Sequence, residues 1–271
     1  MAGNLKQMRV PIYQIDAFAS SLFKGNPAAV CPLEQWLPDE MLQSIAAENN
    51  LAETAYYTPA GHGRFHLRWF TPEVEIDLCG HATVATAAVI LGLRSELAGA
   101  RVVFDSKSGE LVVDREGDLY ALNFPSNPPS ECDVDPGLNE ALGAVPQQTL
   151  GGRGYLCIFE NEAQVRALRP KMDKVAALDR WSVIATAPGD DCDFVSRFFA
   201  PAKGIPEDPV TGSAHTVLIP YWAERLQKKK MFARQISRRG GELWCENLGP
   251  RVKIAGRAVP YLEGTIQVPK M

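Results

Sequence analysis

The sequence predicts an α+β chain folded as two similar lobes, and three observations carry that expectation. Its length, 271 residues, exceeds what one hydrophobic core usually fills. Stretches of period-two alternation are interleaved with a few of helical spacing. One supersecondary unit also occurs twice, because Leu67-Arg-Trp-Phe-Thr-Pro72 is echoed by Ser196-Arg-Phe-Phe-Ala-Pro201. Each copy is followed by a short loop, a Gly-polar-Ala triplet (Gly80-His81-Ala82, Gly212-Ser213-Ala214) and an apolar helix-like run. A pseudo-twofold axis between two such lobes would bring two helix N-termini face to face across one cleft.

Taken in order, residues 10–18 alternate as a strand, Gly25-Asn26-Pro27 is a turn signal, and 28–31 read as a second strand. Leu37-Pro38-Asp39 opens a helix through Met41, Leu42, Ile45 and Ala46 that runs out near Asn49-Asn50. A loop carrying Glu53 leads into strands over 54–58 and 65–70, then to a small-residue apolar segment, 82–93, which reads as a buried helix. Residues 102–104, 110–114 and 119–124 form an antiparallel run with turns at Ser108-Gly109 and Glu116-Gly117. The proline cluster Pro125-Ser-Asn-Pro-Pro129 marks the boundary between an N-terminal lobe, 1–125, and a C-terminal lobe, 126–271. The second lobe repeats the outline with strands near 154–159, 181–187 and 194–199, a helix from Gly212 to about Ala223, and closing strands, the last of which can cross to the first lobe.

Composition narrows the function. A net charge of −4 offers no basic field for a phosphate backbone, and the single cationic run, Lys228-Lys229-Lys230, reads as a solvated helix end, so no nucleic-acid partner is expected. The longest apolar stretch is broken by threonines and falls far short of the roughly 20 residues of a membrane span. The N-terminal residues lead into a strand pattern with no apolar signal core, which predicts a cytoplasmic protein. Six scattered cysteines form no C-x-x-C pair or zinc-ligand spacing, so reduced thiols and no metal are expected. There is no Gly-x-Gly-x-x-Gly fingerprint and no lysine in a Schiff-base context, so no cofactor is expected.

Each Gly-polar-Ala triplet lies where a loop enters a helix, leaving backbone N–H groups free at the positive end of a dipole. Such an end suits a carboxylate or charge developing on an enol, although an ordinary capping turn with Thr211 or Ser213 as N-cap would look the same. Nearby acid/base candidates are Glu53, His81, Glu207, Asp208 and His215. Glu53 stands at a loop-to-strand junction with few charges around it, the setting that pulls a carboxyl pKa toward neutrality. Asp208 precedes a proline and also reads as a turn-former, and His215 reads as a helix residue satisfied locally. His81, at a helix start, is expected as a neutral imidazole.

At Asp16-Ala-Phe, Phe23-Lys-Gly-Asn-Pro-Ala-Ala-Val30, Asn50-Leu-Ala-Glu-Thr54, Arg68-Trp-Phe-Thr-Pro72, Leu78-Cys-Gly-His-Ala-Thr83 and Glu207-Asp-Pro-Val-Thr-Gly-Ser-Ala214, the chain resembles the PhzF family, phenazine-biosynthesis-like proteins with a diaminopimelate-epimerase-like fold. Arg239-Gly-Gly-Glu242 and Leu262-Glu-Gly264 extend the match over nearly the whole chain. The resemblance implies that each lobe is a β-barrel-like sheet around a central helix, with the active site between the lobes and a homodimer as the assembly. It implies an isomerase in which Glu53 shuttles a proton, assisted by His81 and Asp208. A small carboxylate-bearing substrate would be held by Gly80, Thr211, Gly212, Ser213 and Asn26.

Two departures qualify the likeness. Ala52 stands where the family more often has serine, which bears on substrate preference. Related racemases use two thiols; Cys79 occupies the first position, but the second aligns with Thr211, whose hydroxyl is far too weak an acid to serve as the opposing base. Besides an isomerase, a one-base amino-acid racemase and a non-catalytic binding protein remain compatible with the sequence.

Overall fold

The computed structural model describes residues 7–270; residues 1–6, which belong to the stretch read for a signal core, lie outside the described residues. The first half contains β1 (Gln7–Ala17), β2 (Asn26–Pro32), β3 (Glu53–Gly61), β4 (Arg64–Phe70), β5 (Glu75–Ile76), β6 (Arg101–Ser106), β7 (Gly109–Glu116) and β8 (Leu119–Pro125), with helices α1 (Asp39–Asn49) and α2 (Gly80–Ala88). The second half contains α3 (Leu138–Leu142), β9 (Gln148–Gly151), β10 (Tyr155–Ile158), α4 (Glu162–Ala167), α5 (Met172–Ala176), β11 (Val183–Pro188), β12 (Phe194–Ala200), β13 (Ile205–Asp208) and α6 (Gly212–Leu226). It ends with β14 (Lys230–Gln235), β15 (Gly241–Asn247), β16 (Arg251–Gly256) and β17 (Ala258–Pro269).

From β1 to β8 the neighbours pair antiparallel (β1–β2), parallel (β2–β3), antiparallel (β3–β4), parallel (β4–β6), then antiparallel twice (β6–β7, β7–β8). The strands from β9 to β16 repeat that series step for step, with β5 and β13 each appended to its own hairpin. A parallel pair needs a crossover connection, and every parallel step here coincides with an inserted helix: α1, α2, then α4 with α5, and α6. The halves join where β8 pairs with β16, and β17 returns to lie antiparallel along the whole of β1.

The helix α2 is built almost entirely of Gly, Ala, Thr and Val and is buried from His81 to Ala88. A helix that is apolar on every side belongs inside a sheet, and α2 packs against β1, β2, β3 and β8. Its two threonines turn their hydroxyls back onto the Cys79 and Ala82 carbonyls at 2.6 and 2.8 Å, so neither is left unpaired. The expected helix over 82–93 stays α-helical only to Ala88 and then widens into a π-turn over Val89–Leu93.

In α6, Trp222 stacks on Phe194 of β12, ring centroids 5.7 Å apart, and donates its indole N–H to Thr186 of β11 at 2.9 Å. Pro220 lacks an N–H, which frees the Thr216 carbonyl four residues earlier. Asn127 of the proline-rich linker fills that gap: its backbone N–H reaches the Thr216 carbonyl and its side-chain amide the Thr216 hydroxyl, both at 3.0 Å. The segment joining the two halves is thereby fastened to the second central helix.

Candidate active site

Glu53 is the first residue of β3, beside Ala28 of β2, and not part of a loop. Its side chain is turned inward at 7% exposure, while the neighbouring Ala52 is exposed to solvent. His81, the second residue of α2, is equally buried, and its Nε2 lies 3.0 Å from Glu53 Oε2. Among the described residues that carboxylate oxygen has no polar partner besides the His81 ring.

On the other side of the ring, Asn26, the first residue of β2, places its Nδ2 3.2 Å from His81 Nδ1. The same amide nitrogen is 2.8 Å from Asp208 Oδ1 and 3.0 Å from the Val210 carbonyl, so Asn26 ties the first half to the second. Thr211 donates its hydroxyl to the second Asp208 oxygen at 2.6 Å, which leaves it unable to cap α6 with its side chain. Gln235 of β14, fully buried, accepts the Thr211 N–H at 2.8 Å and donates to the Asp208 carbonyl at 2.8 Å. The turn between β13 and α6 is held in this way at both ends.

The two helix starts meet closely. A methyl group placed on either Gly80 or Gly212 would lie 3.8 Å from the other's Cα. The first N–H groups of α2 and α6, which no helix can satisfy internally, therefore converge on one spot. Ser213 is exposed there, and Gly80 is half-buried.

Electrostatics distinguishes these groups. Burial raises the Asp208 carboxyl to about 6, against the pull of His81 and the hydroxyl of Thr211. Burial opposes charge on His81, but the Glu53 carboxylate 3.0 Å away favours it, and its pKa is held above the usual histidine value. The expectation of a neutral ring, drawn from the helix end alone, left out the Glu53 carboxylate, which favours the charged ring. Cys79 Sγ lies 3.5 Å from His81 Nδ1, and burial together with Glu53 keeps it a neutral thiol.

Two other candidates fall outside the cluster. Glu207 is engaged by Arg197 through two hydrogen bonds at 2.7 and 3.0 Å. His215 is buried, donates its Nδ1–H to the Thr211 carbonyl at 2.8 Å, and is pushed down to about 4 by burial.

Against known proteins, a model of the phenazine biosynthesis-like family (PhzC-PhzF) matches residues 15–264. An uncharacterized isomerase of Pseudomonas aeruginosa is 49% identical over 261 residues, covering 96% of this chain and 100% of that protein. The chain belongs to the PhzF family of isomerases. A crystal structure of a PhzF-family protein from Enterococcus faecalis superposes with a TM-score of 0.93 at 46% identity, covering 96% of this chain and 99% of that one. A hydroxyproline epimerase from Agrobacterium vitis, at 10% identity and a TM-score of 0.59 over 100% of this chain and 95% of that one, shares the epimerase-like fold.

Within this PhzF-family fold, two pieces of the site escaped sequence reasoning. Gln235 had a usable signal: Met231, Ala233 and Gln235 fall on the inward face of a strand, and a glutamine there must find buried partners. The other is the ion pair of Asp16 with Arg239 at 2.8 Å. Arg239 also donates to the Lys24 and Gly25 carbonyls at 2.9 and 2.8 Å, and the Gly25 N–H reaches Gly240 at 2.7 Å. The loop that delivers Asn26 is thus gripped by the second half, which no local pattern could disclose.

Proposed function

We propose that this chain moves a proton on a small carboxylate-bearing substrate, with Glu53 as the general acid/base. The observation that carries the reading is the convergence of a buried glutamate, a histidine and an aspartate from three distant segments at the junction of two helix N-termini. Substrate carboxylate would be received by the N–H groups at Gly80-His81 and Gly212-Ser213, with Asn26 and Thr211 fixing its orientation. Glu53 would take a carbon-bound proton, the electron pair moving into an enolate whose charge the same helix ends stabilise, and would return the proton at another carbon. His81, 3.0 Å away, is within reach of the Glu53 carboxylate to steady its position during the transfer. Asp208, with a pKa of about 6, can carry a second proton near neutral pH. These steps draw only on the chain's own side chains and backbone.

The finer setting is also proposed: lobes dividing near residues 125 and 126, with β17 crossing over; a homodimer; and a cytoplasmic location. No described helix is long and apolar enough to cross a membrane. A dimer is supported by an apolar patch in which Phe23, 66% exposed, packs edge-on against exposed Tyr261, with Leu22 and Leu262 also exposed. These lie by β17, whose paired register among the described residues is with β1.

The test is proton exchange followed by NMR in deuterated water, with a panel of amino acids, dihydroaromatic acids and other small carboxylates. Exchange by the wild type that disappears in Glu53→Gln supports the reading. Exchange confined to the α-proton of an amino acid would indicate a one-base racemase. Ligand line broadening without exchange in either protein would sink the catalytic reading and leave a binding protein.

A further inference from the structure

The turn that joins β14 to β15 reaches the site from two directions. At its start, Gln235 donates to the Asp208 carbonyl at 2.8 Å and to the Thr211 hydroxyl at 3.1 Å, and accepts the Thr211 N–H at 2.8 Å, so both ends of its amide are used. Ser237 donates to the Pro209 carbonyl at 2.8 Å and accepts the Gly240 N–H at 3.1 Å. At the far end, Arg239 and Gly240 hold Asp16 and the backbone of Lys24 and Gly25, the segment that delivers Asn26. The matching turn of the first half, between β6 and β7, is only residues 107–108, against 236–240 here. Both turns carry a serine that bonds the carbonyl two places before a helix start, Ser108 to Asp77 at 2.7 Å and Ser237 to Pro209. Lys107 and Ser108 bond within their own half, whereas the longer turn carries Arg239 across to the other.

The loop it grips does not hold itself. Phe18, Phe23 and Gly25 have φ of 59°, 68° and 65°. Left-handed backbone is costly for a phenylalanine and persists only where the surroundings fix it. At Gly25 even a methyl group would lie 2.2 Å from the Ala17 carbonyl oxygen. Asp16, 2% exposed, accepts the Phe23 N–H at 2.9 Å and has Arg239 as its countercharge. Asn26 follows directly, so its place depends on what fastens residues 16–25.

We propose that the 235–240 segment is a bracket that sets Asn26 against Asp208, and that Arg239 is its positioning residue. Asn26 Nδ2 lies 2.8 Å from Asp208 Oδ1 and 3.0 Å from the Val210 carbonyl, both on the turn that Gln235 holds. Gln235 and Ser237 fix the acceptors, Arg239 and Gly240 fix the donor, and five residues of one turn set the span between them. Arg239 acts through Asp16 and the Lys24 and Gly25 carbonyls. Besides Asn26, the groups that bear on the Asp208 carboxyl are the Thr211 hydroxyl, His81 of α2 and Glu53 of β3. The placing of Asn26 does not depend on the proton-transfer reading, whereas a loss of turnover without Arg239 rests on it.

The experiment follows the Asn26 side-chain amide of the full-length protein by nitrogen-15 NMR as the pH is varied. In the wild type its shift should step near pH 6, where Asp208 titrates, and Asp208→Asn should remove that step. Arg239→Gln should lose most of the step, because the amide no longer sits on the carboxyl. Asp16→Asn combined with Arg239→Gln takes away the buried charge together with its partner, should lose the step likewise, and keeps the test open if Arg239→Gln alone does not fold. Arg101→Gln, which cuts the exposed pair with Asp114, should titrate as wild type. Thermal unfolding shows which variants are folded. A wild type without the step, or a folded Arg239 variant that keeps it in full, overturns the proposal. On any acid of the exchange panel that the wild type turns over, the Arg239 variants should be slower by roughly tenfold to a hundredfold. A lost step with exchange unchanged would leave the bracket standing and count against Asn26 and Asp208 in the proton-transfer reading, which separates the two failures.

Discussion

The two halves share a skeleton down to individual side chains and differ at the junction of their helix starts. Arg68 of β4 holds Glu75 through two hydrogen bonds at 2.7 and 2.9 Å, and Arg197 of β12 holds Glu207 at 2.7 and 3.0 Å. Each guanidinium also lies over the phenylalanine two residues on, Phe70 or Phe199. The registers Cys31–Tyr56–Arg68 and Cys157–Ala185–Arg197 carry the equivalence across three strands. At the helix starts, Thr83 bonds the Cys79 carbonyl as His215 bonds that of Thr211. Yet Glu53 corresponds to Ser182, His81 to Ser213, and Asp208 to Ile76. The frame is duplicated, whereas the titratable groups are dealt unequally: a buried glutamate and an imidazole to one half, a carboxyl with a raised pKa to the other.

The strongest way to break this asymmetry is to exchange its centre. Glu53→Gln should lower the NMR exchange rate by about 10³-fold, within the usual range for loss of a general base, whereas Ser182→Ala at the matching position should leave it within about twofold. Comparable losses in both variants would mean that the halves share the work.

Next in size is the cost of cutting the duplicated ion pair. Arg197→Ala strands Glu207 and removes donors from the Val165 and Leu168 carbonyls, so a loss of about 3 kcal/mol is expected in urea unfolding. Arg68→Ala leaves Glu75 still paired with Lys107, 2.6 Å away, and should cost about half as much. Equal costs would show that Lys107 does not compensate.

Much of this frame was legible because it depends on local patterns. Alternation and turn signals found β1 to β4 and β6 to β8 to within a few residues but not the two-residue β5, and the repeated Arg-aromatic-Phe-x-Pro motif with its Gly-polar-Ala triplet disclosed the duplication. The family motifs then singled out Glu53, His81, Asp208 and Asn26, which the fold brings together. What stayed hidden depends on partners far apart in the chain. His81 was read from its helix end, but the Glu53 carboxylate stands 3.0 Å from its ring. Thr211 reads as a cap, but Asp208 takes its hydroxyl. The role of Pro220 becomes visible only once Asn127 is seen to occupy the carbonyl it frees.

The helix-start pair gives a pH-dependent contrast. His215 has a pKa near 4 when folded, against 6.5 ordinarily, so below pH 6.5 the unfolded chain binds the extra proton and the folded one does not. The contribution of His215 should therefore be complete above pH 6.5 and decline by about 2–3 kcal/mol as the pH falls toward 4, while Asp208, with its raised pKa, works in the opposite sense below about pH 6. His215→Thr, which copies the first half's Thr83, should flatten that segment of the stability curve. An unchanged slope would assign it to other groups.

The smallest expected effect tests the skeleton itself. Cys31 and Cys157 occupy matching places on β2 and β10, are both fully buried, and have thiols pushed up to about 12 by burial. Each behaves as a small hydrophobe filling the same niche between sheet and covering helices. Replacing either with alanine deletes one sulfur from a closed core, so each should cost about 1–2 kcal/mol, the two values agreeing within about 0.5 kcal/mol. Cys157 has Cys132 and the Thr149 hydroxyl as polar neighbours, whereas Cys31 sits beside Tyr56. A markedly larger loss at Cys31 would therefore mean that the tyrosine packs against the sulfur in a way the second half never copied, and that the repetition holds for backbone pairing but not for core packing.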